Sequence, residues 1–299
     1  MYKIKPDDFV KVSKNLDYLT IESFKLITNE KNSFDVIIDL GFGDGRVTRL
    51  LSQNVPHKQL VAIDVVPEML EHAVANNTDD PTIEYVLQDL TVSWPELSPR
   101  IRQLESKVDL LFSNFMLHYI TDKYQLMAII GQLLTSGGLF YSTILITRDL
   151  NTKKLVINNN NNRVEKQLLY PSVDKQINVW KQCLVDNGFQ IKLFKVITDY
   201  IVLNRKMIID IMPVLVDDYL HVGGGHQFSD QTSDHFWNSV FENNFSPLDS
   251  ESAAAAATEM SAESVSNPNA WKQFLADNTI TEMRNNYHVL RVMAYNNRQ

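Results

Sequence analysis

Residues 36–45 read Val-Ile-Ile-Asp-Leu-Gly-Phe-Gly-Asp-Gly: an apolar run reaches a carboxylate, Asp39, and passes into three glycines, Gly41, Gly43 and Gly45, spaced one apart. At the carboxyl end of a strand such a turn suits a cofactor. Glycine takes positive φ without steric cost and lets a ligand approach where a Cβ would clash. The spacing is Gly-x-Gly-x-Gly, whereas the dinucleotide fingerprint has its third glycine one position later, where this chain has Arg46. A nicotinamide dinucleotide is therefore the weaker reading. A second apolar run, 59–64, ends in another carboxylate, Asp64. Its two ionised oxygens can accept from two adjacent hydroxyls at once, and charge-assisted bonds are about twice as strong as neutral ones, so Asp64 suits a ribose diol.

These features together ask for a nucleoside with an unphosphorylated ribose. S-adenosylmethionine meets that requirement, and its methionine end carries an amine that a carboxylate attracts. The same residues have structural alternatives. Asp39 could cap a helix beginning near Asp44 or Gly45, Asp64 could cap the helix led by Pro67, Asp89 could only make a turn, and His118 could be a core histidine.

The elements that must position these groups alternate along the chain. A helical amino-terminal segment over about 8–28 is followed by strands at 36–40, 59–65, 83–87, 108–113 and 139–146. Helical patterns lie between them at 45–53, 67–75 and 123–134, the last closed by Ser136-Gly137-Gly138. This rhythm predicts an α/β fold with a doubly wound, mostly parallel sheet and helices on both faces. Beyond residue 147 the asparagines at 158–162 read as a surface loop, 173–187 as a helix ended by Gly188, and 190–203 and 288–295 as late strands.

The expected organisation is one domain over 1–299, with an amino-terminal helical segment at 1–30 and a helical cap insertion at 204–285 between the last two strands. The insertion carries two apolar stripes, Met207, Ile208, Ile211, Met212, Leu215 and Tyr219, then Phe236, Trp237, Val240, Phe241 and Phe245. They either pack on each other and on the sheet or line an apolar substrate cavity. His221 and His226 flank three glycines, which reads as a hinge or lid loop rather than a metal site, and no metal is expected.

Composition bounds the partners. With 36 acidic against 28 basic side chains the formal charge is −8, which argues against nucleic acid, whose affinity rests on phosphate neutralisation. The single cysteine, Cys183, excludes an intramolecular disulfide, and no apolar run approaches the ~18 residues of a membrane span. A cytoplasmic protein with a small-molecule substrate is the expectation; the oligomeric state is left open.

Four signals stand in order: the Asp39–Gly45 turn, Asp64, Gln88-Asp89 after the third strand, and Ser113-Asn114-Phe-Met-Leu-His118-Tyr119 after the fourth. With them the chain resembles the class I S-adenosylmethionine-dependent methyltransferases over about 34–146. The Leu-His-aromatic segment, Asp122, the insertion and the final strand most resemble the juvenile hormone acid and trans-aconitate O-methyltransferases.

The resemblance implies a seven-stranded, Rossmann-like sheet. It assigns the methionine part of the cofactor to Asp39 and the backbone of Gly41, Gly43 and Gly45, the ribose to Asp64, the adenine amino group to Asp89 and the neighbourhood of the sulfonium to Asn114. His118 would face the substrate as the catalytic residue, in a pocket lined by Met116, Tyr119, Met212 and Trp237. The family usually has tryptophan where this chain has Tyr119, so the acceptor pocket differs in shape or polarity. The activity implied is methylation of the carboxylate of an apolar, isoprenoid-like or fatty acid. The alternatives are another small acceptor (polycarboxylate, hydroxyl or amine) and a non-catalytic ligand-binding protein on the same fold.

Overall fold

The computed structural model describes residues 17–76, 79–146, 155–159, 162–166, 172–209, 245–246, 270–277, 279 and 282–297. The chain divides into two compact units, the first formed by Met1–Leu145, Ile177–Val196 and Val289–Gln299 and the second by Ile146–Gln176 and Ile197–His288.

In the first unit, helix α1 (Asp17–Glu30) precedes strand β1 (Phe34–Leu40), and the chain then alternates through α2 (Arg46–Asn54), β2 (His57–Asp64), α3 (Pro67–Ala75) and β3 (Ile83–Leu87). A short helix α4 (Pro99–Arg102), β4 (Val108–Asn114), α5 (Lys123–Leu133) and β5 (Leu134–Ile146) follow. After the hairpin β6 (Leu155–Asn159) and β7 (Asn162–Lys166) come α6 (Val173–Asp186), β8 (Phe189–Asn204), β9 (Phe245–Ser246), α7 (Ala270–Ala276) and β10 (Glu282–Asn296). The sheet order is β3-β2-β1-β4-β5-β10-β8, with the two-residue β9 pairing off β10. The four pairs β3–β2, β2–β1, β1–β4 and β4–β5 are all parallel.

Central strands of this kind are covered on both faces and so read as continuous apolar runs rather than alternating ones. Ile37, Ile38, Leu60, Val61, Leu110 and Leu111 are all fully buried, as that rule requires. The helices close over them through short apolar faces: α2 buries Thr48 and Leu51, and α3, with Pro67 in its first turn, buries Met69 and Ala73. Helix α1 packs across the other half of the sheet, where the Phe24, Phe112 and Tyr141 rings stand 5.7 and 6.1 Å apart in sequence. The Tyr141 hydroxyl donates to Ser23 Oγ at 2.9 Å, which satisfies the polar end of a buried ring. No helix of the described residues is long and apolar enough to cross a membrane.

Two expectations are corrected here. The Ser136-Gly137-Gly138 segment is no turn between helix and strand: β5 begins at Leu134, directly after α5, and takes in these residues. Its pairing with β4 jumps from Val108↔Leu134 to Leu110↔Leu139, and Gly137 at φ 76 takes up the extra residues as a bulge. The asparagine run is not simply a loop either, because Asn158 and Asn159 end β6 while Asn162 starts β7, with Asn159 paired to Asn162.

Within the second unit the Arg205 guanidinium donates to the carbonyls of Phe274, Leu275 and Asp277 and lies 4.5 Å from the Phe274 ring. These are the orphan carbonyls at the end of α7, where a cation also meets the negative end of the helix dipole. The insertion's Ile211, Met212, Leu215, Tyr219, His221, His226, Phe236, Trp237, Val240 and Phe241 lie outside the described residues.

Candidate functional site

Strand order reverses between β1 and β4: β2 and β3 lie to one side of β1, and β4 and β5 to the other. Open α/β sheets bind ligands in the crevice that such a reversal opens at the carboxyl ends of the strands. The register brings those ends together, with Leu40 opposite both Ile63 and Ser113, Asp64 opposite Leu87 and Asn114 opposite Thr143.

The glycine turn is wound as its sequence demands, with Gly41, Gly43 and Gly45 at φ 80, 55 and 77. Two of the three are also required by packing within the protein. A Cβ on Gly41 would lie 2.2 Å from Met116 Cγ, and one on Gly45 would lie 2.7 Å from Ala73 Cβ and 2.9 Å from the Tyr85 hydroxyl. Gly45 is the N-cap of α2, and its left-handed φ sets the direction in which that helix leaves the turn.

Asp64 sits against the turn. One carboxylate oxygen accepts from the Gly43 N–H at 2.9 Å, and the other accepts from Val65 and Val66 at 2.7 and 3.0 Å. Burial raises its pKa above the ordinary carboxylate value against the pull of those three N–H groups. Val65 and Leu87 beside it are exposed aliphatic side chains, which the sequence reading passed over although their apolar character was plain.

Asp39 lies beneath the turn, 1% exposed, and accepts from Thr48 Oγ1 on α2 at 2.7 Å. Burial, helped by the nearby charge of Asp64 and opposed by the Thr48 hydroxyl, pushes its pKa up to about 7. Asp44 is the acid that sequence reasoning missed. It is 3% exposed, one oxygen accepts from the Arg46 N–H at 3.0 Å, and the other has no partner among the described residues. Asp89 is exposed, and one of its oxygens takes both the Thr91 N–H and the Thr91 hydroxyl at 2.8 and 2.7 Å, so it builds its own turn.

On the β4 side, Ser113 Oγ donates to the Leu40 carbonyl at 2.9 Å and stitches the ends of β1 and β4 together. Asn114 Nδ2 donates to Thr20 Oγ1 on α1 at 3.2 Å, while its Oδ1 is buried with no partner among the described residues. Phe115 follows at φ 55, an unusual conformation for a bulky residue, held by its N–H donating to the Thr143 carbonyl at 2.8 Å. No sequence signal marks this bend, because glycine or asparagine would be the expected residue there. The bend seats Met116 over Gly41 and leads into a short turn, Leu117–Tyr119.

His118 is 8% exposed, and neither ring nitrogen has a hydrogen-bond partner among the described residues. Burial, reinforced by the Lys123 ammonium, pushes its pKa down to about 3, so the imidazole is neutral at physiological pH. The Tyr119 ring lies 3.8 Å from it, and burial raises the pKa of the Tyr119 phenol. Lys123 donates to the Ile120 carbonyl at 2.5 Å and lies 5.0 Å over the Trp180 ring. Of the residues expected at the site, the described structure brings Asp39, Gly41, Gly43, Gly45, Asp64, Asn114, Met116 and His118 to the ends of β1, β2 and β4 or the turns that follow them. Met212 and Trp237 fall outside the described residues.

Comparison with known proteins agrees with this geometry. The family described as "Methyltransferase domain" matches residues 37–138, from the first strand through the His118 segment to the start of β5. Over that segment, 37–138, the sequence is that of a class I S-adenosylmethionine-dependent methyltransferase domain. Its cofactor is S-adenosylmethionine. A malonyl-[acyl-carrier protein] O-methyltransferase of Ilyobacter polytropus is 26% identical over 133 residues, 44% of this chain and 44% of that protein. A trans-aconitate 2-methyltransferase of Methylobacterium radiotolerans is 32% identical over 101 residues, 34% of each chain. The methyltransferase domain thus spans less than half the length of these curated relatives. A methyltransferase structure from Bacillus halodurans superposes with a TM-score of 0.51 at 12% identity, covering 92% of this chain and 97% of its own, which supports the Rossmann-like fold.

The site suits that cofactor. Two carboxyls, the buried Asp39 and the half-buried Asp64, are held above their ordinary pKa by desolvation, and a cationic ligand beside them would relieve that strain. The Asp44 and Asn114 oxygens that have no partner among the described residues are acceptors in want of a donor.

Proposed function

We propose that this protein transfers the methyl group of S-adenosylmethionine to the carboxylate of an apolar small-molecule acid, giving a methyl ester. The observation that carries the reading is His118: a buried, neutral imidazole beyond the carboxyl end of β4, with both nitrogens unpartnered among the described residues. A buried donor without a partner costs about 1–3 kcal/mol, so its retention calls for a group it can bind.

When bound, the cofactor supplies an electrophilic methyl group on a sulfonium. The side chains have positioning to do rather than bond chemistry. A carboxylate with a pKa near ~4 is already ionised at neutral pH, so no general base is needed. Alignment contributes roughly 7–11 kcal/mol, against about 3–5 kcal/mol for a positioned base. The His118 N–H orients the acceptor oxygen, and a neutral donor leaves that weak nucleophile more reactive than a guanidinium would. The Lys123 ammonium adds a positive field that favours an anionic acceptor over a neutral one.

Asp64 holds the ribose hydroxyls on the side of its carboxylate not occupied by backbone, and Val65 and Leu87 offer aliphatic surface to the adenine ring. The glycine turn, Asp39 and Asp44 surround the methionine end, and Asp89 takes the adenine amino group. The carboxylate reading is supported by relatives whose names specify trans-aconitate and malonyl-[acyl-carrier protein] as acceptors. An apolar acid is preferred over a polycarboxylate because the 204–285 insertion is rich in apolar stripes, and its Arg205 is already committed to three α7 carbonyls. A reducing compartment, the cytoplasm, suits the lone Cys183.

The deciding experiment incubates the protein with methyl-labelled cofactor and a panel of farnesoic-type, fatty and polycarboxylic acids and malonyl carrier thioesters, followed by detection of base-labile methyl esters. Label in an isoprenoid or fatty ester is the expected result. Label confined to trans-aconitate, to the carrier thioester or to an amine overturns the acceptor assignment, and no label on any acceptor overturns the enzyme.

A further inference from the structure

The amino-terminal helix α1 reaches the end of β4 through a hydrogen bond between Thr20 and Asn114. Asn114 is the last residue of β4, and residues close to it on either side touch the glycine-turn segment: Ser113 Oγ bonds the Leu40 carbonyl, and Met116, two residues on, packs over Gly41. The Asn114 side chain therefore borders the crevice at the head of β1. A primary amide has one acceptor and one donor end, and only the donor end is engaged, on Thr20 Oγ1 at 3.2 Å, while Oδ1 is buried without a partner among the described residues. Thr20 itself is 1% exposed and lies on the face of α1 that also presents Ser23 to Tyr141. With the NH2 end on Thr20, the carbonyl end of the amide is left for the crevice.

We propose that Thr20 is a positioning residue of the cofactor site: by holding Asn114 Nδ2 it turns the Asn114 carbonyl oxygen toward the ammonium of the cofactor's methionine end. An ammonium brings three donors and no acceptor, so an amide flipped the other way would set N–H against N–H. α1 is held in place for this by further ties on the same unit, Arg46 to Asp17 at 2.6 Å and Arg291 to Glu22 at 3.0 Å. The inference rests on S-adenosylmethionine as cofactor and is independent of which acid is methylated.

The test is calorimetric binding of two ligands, S-adenosylhomocysteine and 5′-methylthioadenosine, which shares the adenosine but lacks the amino-acid end. Thr20→Val, which removes the hydroxyl at constant shape, is expected to weaken S-adenosylhomocysteine about tenfold and to leave methylthioadenosine unchanged. Asn114→Leu should show the same selective loss, and Thr20→Ser should restore the wild-type value. Unchanged binding of both ligands by Thr20→Val, equal loss of both, or failure of Thr20→Ser to rescue would each overturn the proposal. Should Thr20→Val not fold, Thr20→Ser and Asn114→Leu decide it alone. Failure of the wild-type protein to bind S-adenosylhomocysteine would be a different result, one that overturns the cofactor itself.

Discussion

His118 and Asp64 are the two side chains on which the proposed chemistry divides. Replacing His118 by Ala removes a hydrogen bond to a charged acceptor, worth about 1.5–3 kcal/mol, so turnover should fall roughly 10- to 150-fold. Cofactor affinity measured by calorimetry should stay within about twofold, because none of the cofactor contacts assigned above uses the imidazole. With its pKa pushed down to about 3, His118 stays neutral across the working range. Its contribution to kcat should therefore be flat from about pH 5 to 8, and an ionisation near 6.5 that vanishes in His118→Ala would show that the ring titrates. Asp64→Ala reverses the pattern: S-adenosylhomocysteine binding should weaken by about 2–3 kcal/mol, while any rate at saturating cofactor is less affected. It also releases the N–H groups of Gly43, Val65 and Val66, so part of that loss belongs to the turn rather than to the ligand.

At the scale of elements, the contact between the turn after β1 and the segment after β4 can be tested by crowding it. A methyl on Gly41 would meet Met116 Cγ at 2.2 Å in a residue already at φ 80. The left-handed conformation alone costs a non-glycine residue about 1–2 kcal/mol. Gly41→Ala should therefore destabilise the domain by more than that in urea titrations. Adding Met116→Gly, which removes the Met116 Cβ at 2.5 Å as well as the Cγ, should relieve the clash but not the backbone cost, which a double-mutant cycle separates.

This contact was only half legible in the sequence. The three glycines announced a turn, and the apolar runs announced β1 to β4 within two residues at each end, because parallel central strands are written in continuous apolar residues. That Gly41 is glycine for Met116 depended on Phe115 adopting φ 55, and nothing in a phenylalanine foretells it. Asp44 escaped notice because a carboxylate inside a glycine turn reads as solvent-facing, yet it is 3% exposed. The long strand β5 was cut short in the reading because Ser136-Gly137-Gly138 has the composition of a turn, and only the pairing with β4 reveals a bulge.

For the whole molecule, two buried groups of the site tie folding to pH with opposite signs. Asp39, raised to about 7, binds its proton more tightly in the folded chain than in the unfolded one. Its contribution to stability is present below an unfolded pKa near ~4 and is lost as pH rises through about 7. His118, lowered to about 3, behaves conversely, contributing stability above its unfolded pKa near ~6.5 that is lost as pH falls through the acid range. Each is worth at most about 4–5 kcal/mol, and between about pH 4 and 6.5 the two slopes run against each other and largely cancel. A variant that silences one should expose the other. Asp39→Asn keeps an acceptor for Thr48, which donates at 2.7 Å in the wild type, and removes the titrating proton. Relative to wild type, its urea midpoint should rise progressively between pH 4 and 7 and level off above. In His118→Asn the sign reverses, and the gain over wild type should instead grow as the solution is acidified from pH 6.5. Parallel curves for Asp39→Asn and wild type across pH 4–8 would show that the Asp39 carboxyl keeps an ordinary pKa, and with it would go the picture of a buried acid strained in readiness for a cationic cofactor.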